Sequence, residues 1–176
     1  MPRAKQQGEL DGLCGIYAIV NALSKTAQFD EELVFRTCCN SLTAQRWPST
    51  LWEGTTLRDL ETMIKECRHR LKGLDRITVT YPFRSTEPKS NDEFWNKFDG
   101  LFAENGTGKC AIIGLTEPSL HWLVCYPNKG GLTFIDSGAR KNQTVPRAEI
   151  YAGVRRTGQQ TYRIVRKEVI LFERTH

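Results

Sequence analysis

Long apolar runs are missing from this sequence: no stretch approaches the roughly 20 residues of a spanning helix. The N-terminal segment Met1 to Leu10 is polar and basic and has no apolar h-region. Membrane insertion and export by the general secretory route are therefore not expected; the expected location is the cytoplasm, with delivery as an effector by a dedicated secretion system left open. Metal-ligand spacing is missing too. No C-x-x-C or H-x-x-x-H occurs, and the adjacent Cys38 and Cys39 cannot comfortably chelate one ion from neighbouring helical positions, so no zinc site and no cofactor are expected. The six cysteines (Cys14, Cys38, Cys39, Cys67, Cys110 and Cys125) do not resemble a disulfide framework, which fits reduced thiols in a cytosol. Low-complexity tracts and internal repeats are absent, which argues against a disordered or fibrous chain.

What is present is 176 residues of ordinary apolar content, enough for one domain with a real core and short of two. The net charge of +5 includes a late basic run, Arg155, Arg156, Arg163, Arg166 and Lys167. Acidic residues are spread through the rest of the chain, so the run reads as a solvated face and nucleic acid is not an expected partner.

From Cys14 to Leu23 the sequence CGIYAIVNAL is apolar nearly all the way round, the pattern of a helix buried in the middle of a domain. Asp30 starts a second helix to about Ser41. Thr56 with Asp59 resembles a capping box for a third ending near Arg70, and Ser90 with Glu93 caps a fourth. After residue 105, KCAIIGL, HWLVCYP, GLTFIDS and TYRIVRKEVILFE are rich in β-branched and aromatic residues, with turn chemistry between them. Helices first and antiparallel strands later predict an α+β architecture, with Arg46 to Gly54 and Tyr81 to Lys89 as surface loops.

A cysteine in the first turn of a buried helix is placed where unpaired N–H groups and the macrodipole favour a thiolate. Gly12 and Gly15 beside Cys14 allow a sharp turn and close approach of a substrate; a buried, inert cysteine is the plain alternative. A nucleophilic cysteine needs a base, and the chain offers three histidines. His176 is the last residue, and His69 lies between Arg68 and Arg70, whose charges oppose imidazolium formation. That leaves His121, at the head of HWLVCYP, against the alternative of a core histidine satisfied by backbone. If Asn128 to Gly131 form a four-residue loop, Pro127 pairs with Leu132 and Leu123 falls opposite Asp136. His121, Leu123 and Asp136 then share one face, with Asp136 the diagonal neighbour of His121 at roughly 7–8 Å between backbones. Asp136, Ser137 and Gly138 also read as ordinary turn residues. Gln7, with Gln6 as fallback, is the side-chain amide that would join a backbone N–H in stabilising an oxyanion.

A glutamine ahead of D-G-L-C-G-I-Y-A, followed much later by H-W-L-V and F-I-D-S, resembles the papain-like cysteine peptidase superfamily and within it the peptidase C39-like branch. The resemblance implies a helix carrying the cysteine packed on a sheet carrying histidine and aspartate. It places the nucleophile on Cys14, the base on His121, the orienting acid on Asp136 and the oxyanion amide on Gln7. Gly15, where papain and the cathepsins carry an aromatic residue, departs from their signature.

The activity implied is cleavage of a peptide or isopeptide bond in a protein or peptide substrate through a thioester. The same triad serves glutamine deamidases and transglutaminase-like acyl transferases. A non-catalytic protein- or nucleic-acid-binding module, using the basic C-terminal strand with Trp47, Trp52 and Trp95, is the alternative of a different class. The segment Met1 to Leu13 is too short for a useful inhibitory propeptide, so restraint is expected from a regulatory protein partner or from restricted substrate access.

Overall fold

The computed structural model describes residues 12–103, 108–139, 141–153 and 161–175. Its helices are α1 (Cys14–Thr26), α2 (Glu31–Ser41), α3 (Arg46–Glu53), α4 (Leu57–Arg70) and α5 (Asn91–Leu101). The strands are β1 (Ile77–Thr80), β2 (Lys109–Glu117), β3 (His121–Asn128), β4 (Gly131–Ile135), β5 (Gln143–Pro146), β6 (Ile150–Ala152) and β7 (Tyr162–Arg174). The strands join in one sheet of order β1-β7-β2-β3-β4-β5, antiparallel throughout, with β6 added to β7 in parallel. The fold is α+β, though helix and strand interleave more than the sequence suggests, since β1 precedes α5.

Local chemistry sets the helix starts. The Asp30 side chain accepts the Leu33 N–H at 3.1 Å, Thr56 and Asp59 form a reciprocal capping box, and the Ser90 hydroxyl accepts the Glu93 N–H at 3.1 Å. Each cap satisfies a first-turn donor and contributes about 1 kcal/mol.

The sheet is covered on both faces, which explains its near-continuous apolar strands. One face carries Ile112, Val124, Ile135, Ile170 and Phe172 under α1, α2 and α4. The other carries Ile113, Leu123, Phe134, Val169 and Leu171 under Phe94, Trp95 and Phe98 of α5. Helix α1 lies deepest, and its Ile16, Ile19 and Ala22 are fully buried. Truncating Ile19 or Ile112 to alanine would cost about 2–5 kcal/mol.

Arg46 to Gly54, expected as a surface loop, is helix α3. Thr50 is fully buried, and Trp47 and Leu51 pack against the core. Pro48 obscures this helix in the sequence, but it sits in the first turn, where its missing N–H has no intrahelical partner to lose. Tyr81 to Lys89 is irregular as expected, yet it anchors the core through Phe83, whose ring lies 5.5 Å from Phe94. No helix among the described residues is long and apolar enough to cross a membrane.

Candidate active site

The start of α1 is fixed by the connection between α3 and α4. The Gly12 N–H donates to the Leu51 carbonyl at 2.8 Å. A Cβ on Gly12 would lie 2.9 Å from the Gly54 nitrogen, and one on Gly15 would lie 2.1 Å from Thr55 Oγ1 and 2.7 Å from Leu60 Cδ1. The sequence suggests that these glycines admit a substrate; in the structure they admit the neighbouring backbone and Thr55. Cys14, the first residue of α1, is 7 % exposed, and its Sγ is 4.0 Å from the Gly12 carbonyl oxygen.

The second part of the site comes from the β3–β4 hairpin. Pro127 pairs with Leu132 and Val124 with Ile135, the register on which the placement of Asp136 depends. The loop is shorter than expected. Asn128 and Gly131 also pair, leaving Lys129 and Gly130 as the turn, with Gly130 at φ +77°. Adding one pair to a hairpin removes two residues from its loop without altering the register. His121 at the head of β3 and Asp136 just beyond β4 therefore meet, with His121 Nε2 2.6 Å from Asp136 Oδ1. Asp136 is also a turn residue, since the same oxygen accepts the Gly138 N–H at 2.7 Å.

Opposing influences set the charge on the imidazole. Burial lowers the His121 pKa, but hydrogen bonds with Asp136 and with the Cys14 thiol, together with the charges of both, raise it to about 10. For Asp136 burial pulls upward and is outweighed by the hydrogen bond and charge of His121 and by the Gly138 N–H, so its carboxyl titrates below the usual range. The pair is an imidazolium and a carboxylate at neutral pH. Because Nε2 is engaged by Asp136, Nδ1 is the nitrogen left for the sulfur.

Cys14 and His121 line one cavity of about 270 Å³ with Thr55, Gly114, Trp122 and Glu168. The Trp122 indole N–H donates to the Thr55 carbonyl at 2.8 Å and ties β3 to the connection that holds α1. Thr55, Trp122 and Glu168 escape the sequence reading because their roles depend on contacts between distant segments; only the tryptophan beside His121 offers a local signal. A larger cavity of about 680 Å³, bordered by Phe29, Arg70, Arg76 and Arg174, contains none of Cys14, His121 or Asp136.

Gln7 and its fallback Gln6 lie outside the described residues, as do His176, Arg155 and Arg156. His69 is exposed in the last turn of α4. No group of three or more His, Cys, Asp or Glu among the described residues could hold a metal ion. All six cysteines are free. Burial raises the thiol pKa of Cys39, Cys125 and Cys110, the last to about 12. Cys38 is raised as well, chiefly by its hydrogen bond with Cys67. Cys67 differs from the other four: the sulfur of Cys38, 3.6 Å away, lowers it by hydrogen bonding. The binding-module surface is smaller than the sequence implies. Trp95 is buried with its N–H on Asn91, Trp47 is half-buried, and Trp52 alone of the three is exposed. Arg163 pairs with Glu117 at 3.3 Å and Arg166 with Glu87 at 3.4 Å, leaving Lys167 exposed.

Comparison with protein-family models returns no match, and no curated protein matches the sequence at a significant level.

Proposed function

We propose that this chain is a papain-like cysteine hydrolase that cleaves a peptide or isopeptide bond through a thioester on Cys14. The observation that carries the reading is the shared cavity. A cysteine at a helix N-terminus and a histidine charged by a half-buried aspartate line the same cleft, with His121 Nε2 2.6 Å from Asp136. The reading is also supported by a buried helix that bears the cysteine and packs against a sheet with His121 at the head of β3 and Asp136 just beyond β4.

In the proposed sequence the Cys14 sulfur attacks the substrate carbonyl carbon, and negative charge moves to the carbonyl oxygen. Backbone N–H groups at the start of α1 face that charge, and the Gln7 amide is assigned as the second donor. Collapse of the tetrahedral species breaks the C–N bond as His121 gives its proton to the departing amine. The neutral imidazole then takes a proton from water, which attacks the thioester, releases the acid and leaves the free sulfur and the imidazolium as they began. Asp136 holds the ring in one orientation and stabilises its positive charge throughout.

The test is mass spectrometry of candidate protein substrates incubated with wild-type protein and with Cys14→Ala. New chain termini with the first and none with the second support the proposal. Ammonia release from glutamine without chain cleavage would move the same site to deamidation, and identical spectra for the two proteins across substrates would remove it.

A further inference from the structure

The chain carries a net charge of +5, yet among the described residues the wall of the cavity around Cys14 contains neither lysine nor arginine. Its described charged side chains are His121, Glu53 and Glu168. Asp136 already balances His121, so the carboxylate of Glu168 is not needed to neutralise the imidazolium. Glu168 is half-buried on β7 and has no hydrogen-bond or ion-pair partner among the described residues. Burial raises its pKa, against the opposing pull of the neighbouring Lys167. Its position is closely defined. It faces Gly114 beside an irregularity in the β2–β7 register, and a Cβ on Gly114 would lie 2.2 Å from Glu168 Oε2 and 3.2 Å from the Trp122 ring. A glycine here lets the carboxylate lie against the backbone and keeps the cavity open. Holding a carboxylate partly out of water without a partner is unfavourable, and an arriving cation would relieve that cost.

We propose that Glu168 makes this cleft selective for a substrate with a lysine or arginine side chain beside the scissile bond. The inference rests on the reading of Cys14 as nucleophile and adds the substrate class. Glu168 acts in it as a specificity residue, the carboxylate that receives the cationic side chain, while Glu53 at the rim adds charge of the same sign.

Matched thiol reagents test it without a known substrate. The rates at which 2-aminoethyl, methyl and 2-sulfonatoethyl methanethiosulfonate modify Cys14 are measured by peptide mapping and normalised to their rates with glutathione. In Glu168→Gln the cationic reagent should slow and the anionic one should quicken, each by about threefold, the order expected of one unit charge at close range under aqueous screening. The neutral reagent should be unchanged, which also reports that the cleft is intact. Glu168→Asp should keep the wild-type charge preference, and Asp75→Asn, an equal change of charge outside the cleft, should leave all three rates alone. A cation-to-anion ratio that is the same in wild type, Glu168→Gln and Glu168→Asp overturns the proposal while leaving the nucleophile in place. If Cys14 reacts no faster than Cys39 with any of the reagents, the nucleophile reading fails first and the inference fails with it.

Discussion

His121 and Asp136 are joined by a 2.6 Å contact through Nε2 and Oδ1, and that carboxylate oxygen is itself held by the Gly138 N–H at 2.7 Å. The orienting acid is thus fixed from both sides, by the ring it serves and by its own turn. Asp136→Asn should keep the turn but lose the charge. Turnover should fall by up to about 10⁴-fold yet remain measurable, whereas Cys14→Ala and His121→Ala abolish it. Full activity in either alanine variant contradicts the triad.

Asp136→Asn should also move the pH profile. The carboxylate helps raise His121 to about 10; without it the lowering effect of burial is less opposed, so His121 titrates lower. The basic limb of kcat/KM, set by loss of the imidazolium proton, should therefore move from near 10 in the wild type toward neutral pH in the variant. A basic limb at the same pH in both proteins would mean that the contact does not control the charge state.

The same shift makes a statement about stability. A histidine whose folded pKa is raised from 6.5 to about 10 adds stability that is fully present below about 6.5 and is lost as pH rises through 10. Urea unfolding should show the wild type losing more stability between pH 7 and 10 than His121→Gln does. Asp136 works in the opposite direction: its depressed pKa gives stability present above the ordinary carboxyl range and lost as pH falls through the folded value. Parallel pH dependence of wild type and His121→Gln would show that the ion pair adds nothing to folding.

Gly15→Ala tests the local reason for the glycine beside Cys14. Helix propensity alone favours alanine by up to about 1 kcal/mol. The added methyl would meet Thr55 Oγ1 at 2.1 Å, and overpacking of this kind costs about 1–3 kcal/mol. The variant should be destabilised in urea unfolding, and Thr55→Ala should recover part of the loss. A stabilised Gly15→Ala would mean that α1 does not start against Thr55.

Much of this arrangement was legible because it is written in short-range chemistry. Asp30, Thr56 with Asp59, and Ser90 mark their helix starts by residue type and spacing, and the hairpin register places Asp136 within reach of His121 despite a loop two residues shorter than expected. What stayed hidden depends on contacts between distant segments. Helix α3 is masked by Pro48, and the purpose of Gly15 lies in Thr55 and Leu60, some forty positions on. Glu168 reads as one more charge on a mixed strand until Gly114 and the cavity are placed beside it.

The central claim, that Cys14 is a nucleophile paired with His121, is tested most directly by thiol selectivity. Five cysteines provide the comparison: Cys38, Cys67, Cys110 and Cys125 are buried at 1 % exposure or less, and Cys39 is half-buried on α2. Limited iodoacetamide at about pH 6, well below the free-thiol pKa, followed by peptide mapping of the native protein, should label Cys14 well ahead of all five. His121→Ala should slow that labelling, because it removes the imidazolium that faces the sulfur. If Cys14 reacts no faster than Cys39, or at a rate indifferent to His121, it is a buried structural thiol and the hydrolase account is contradicted.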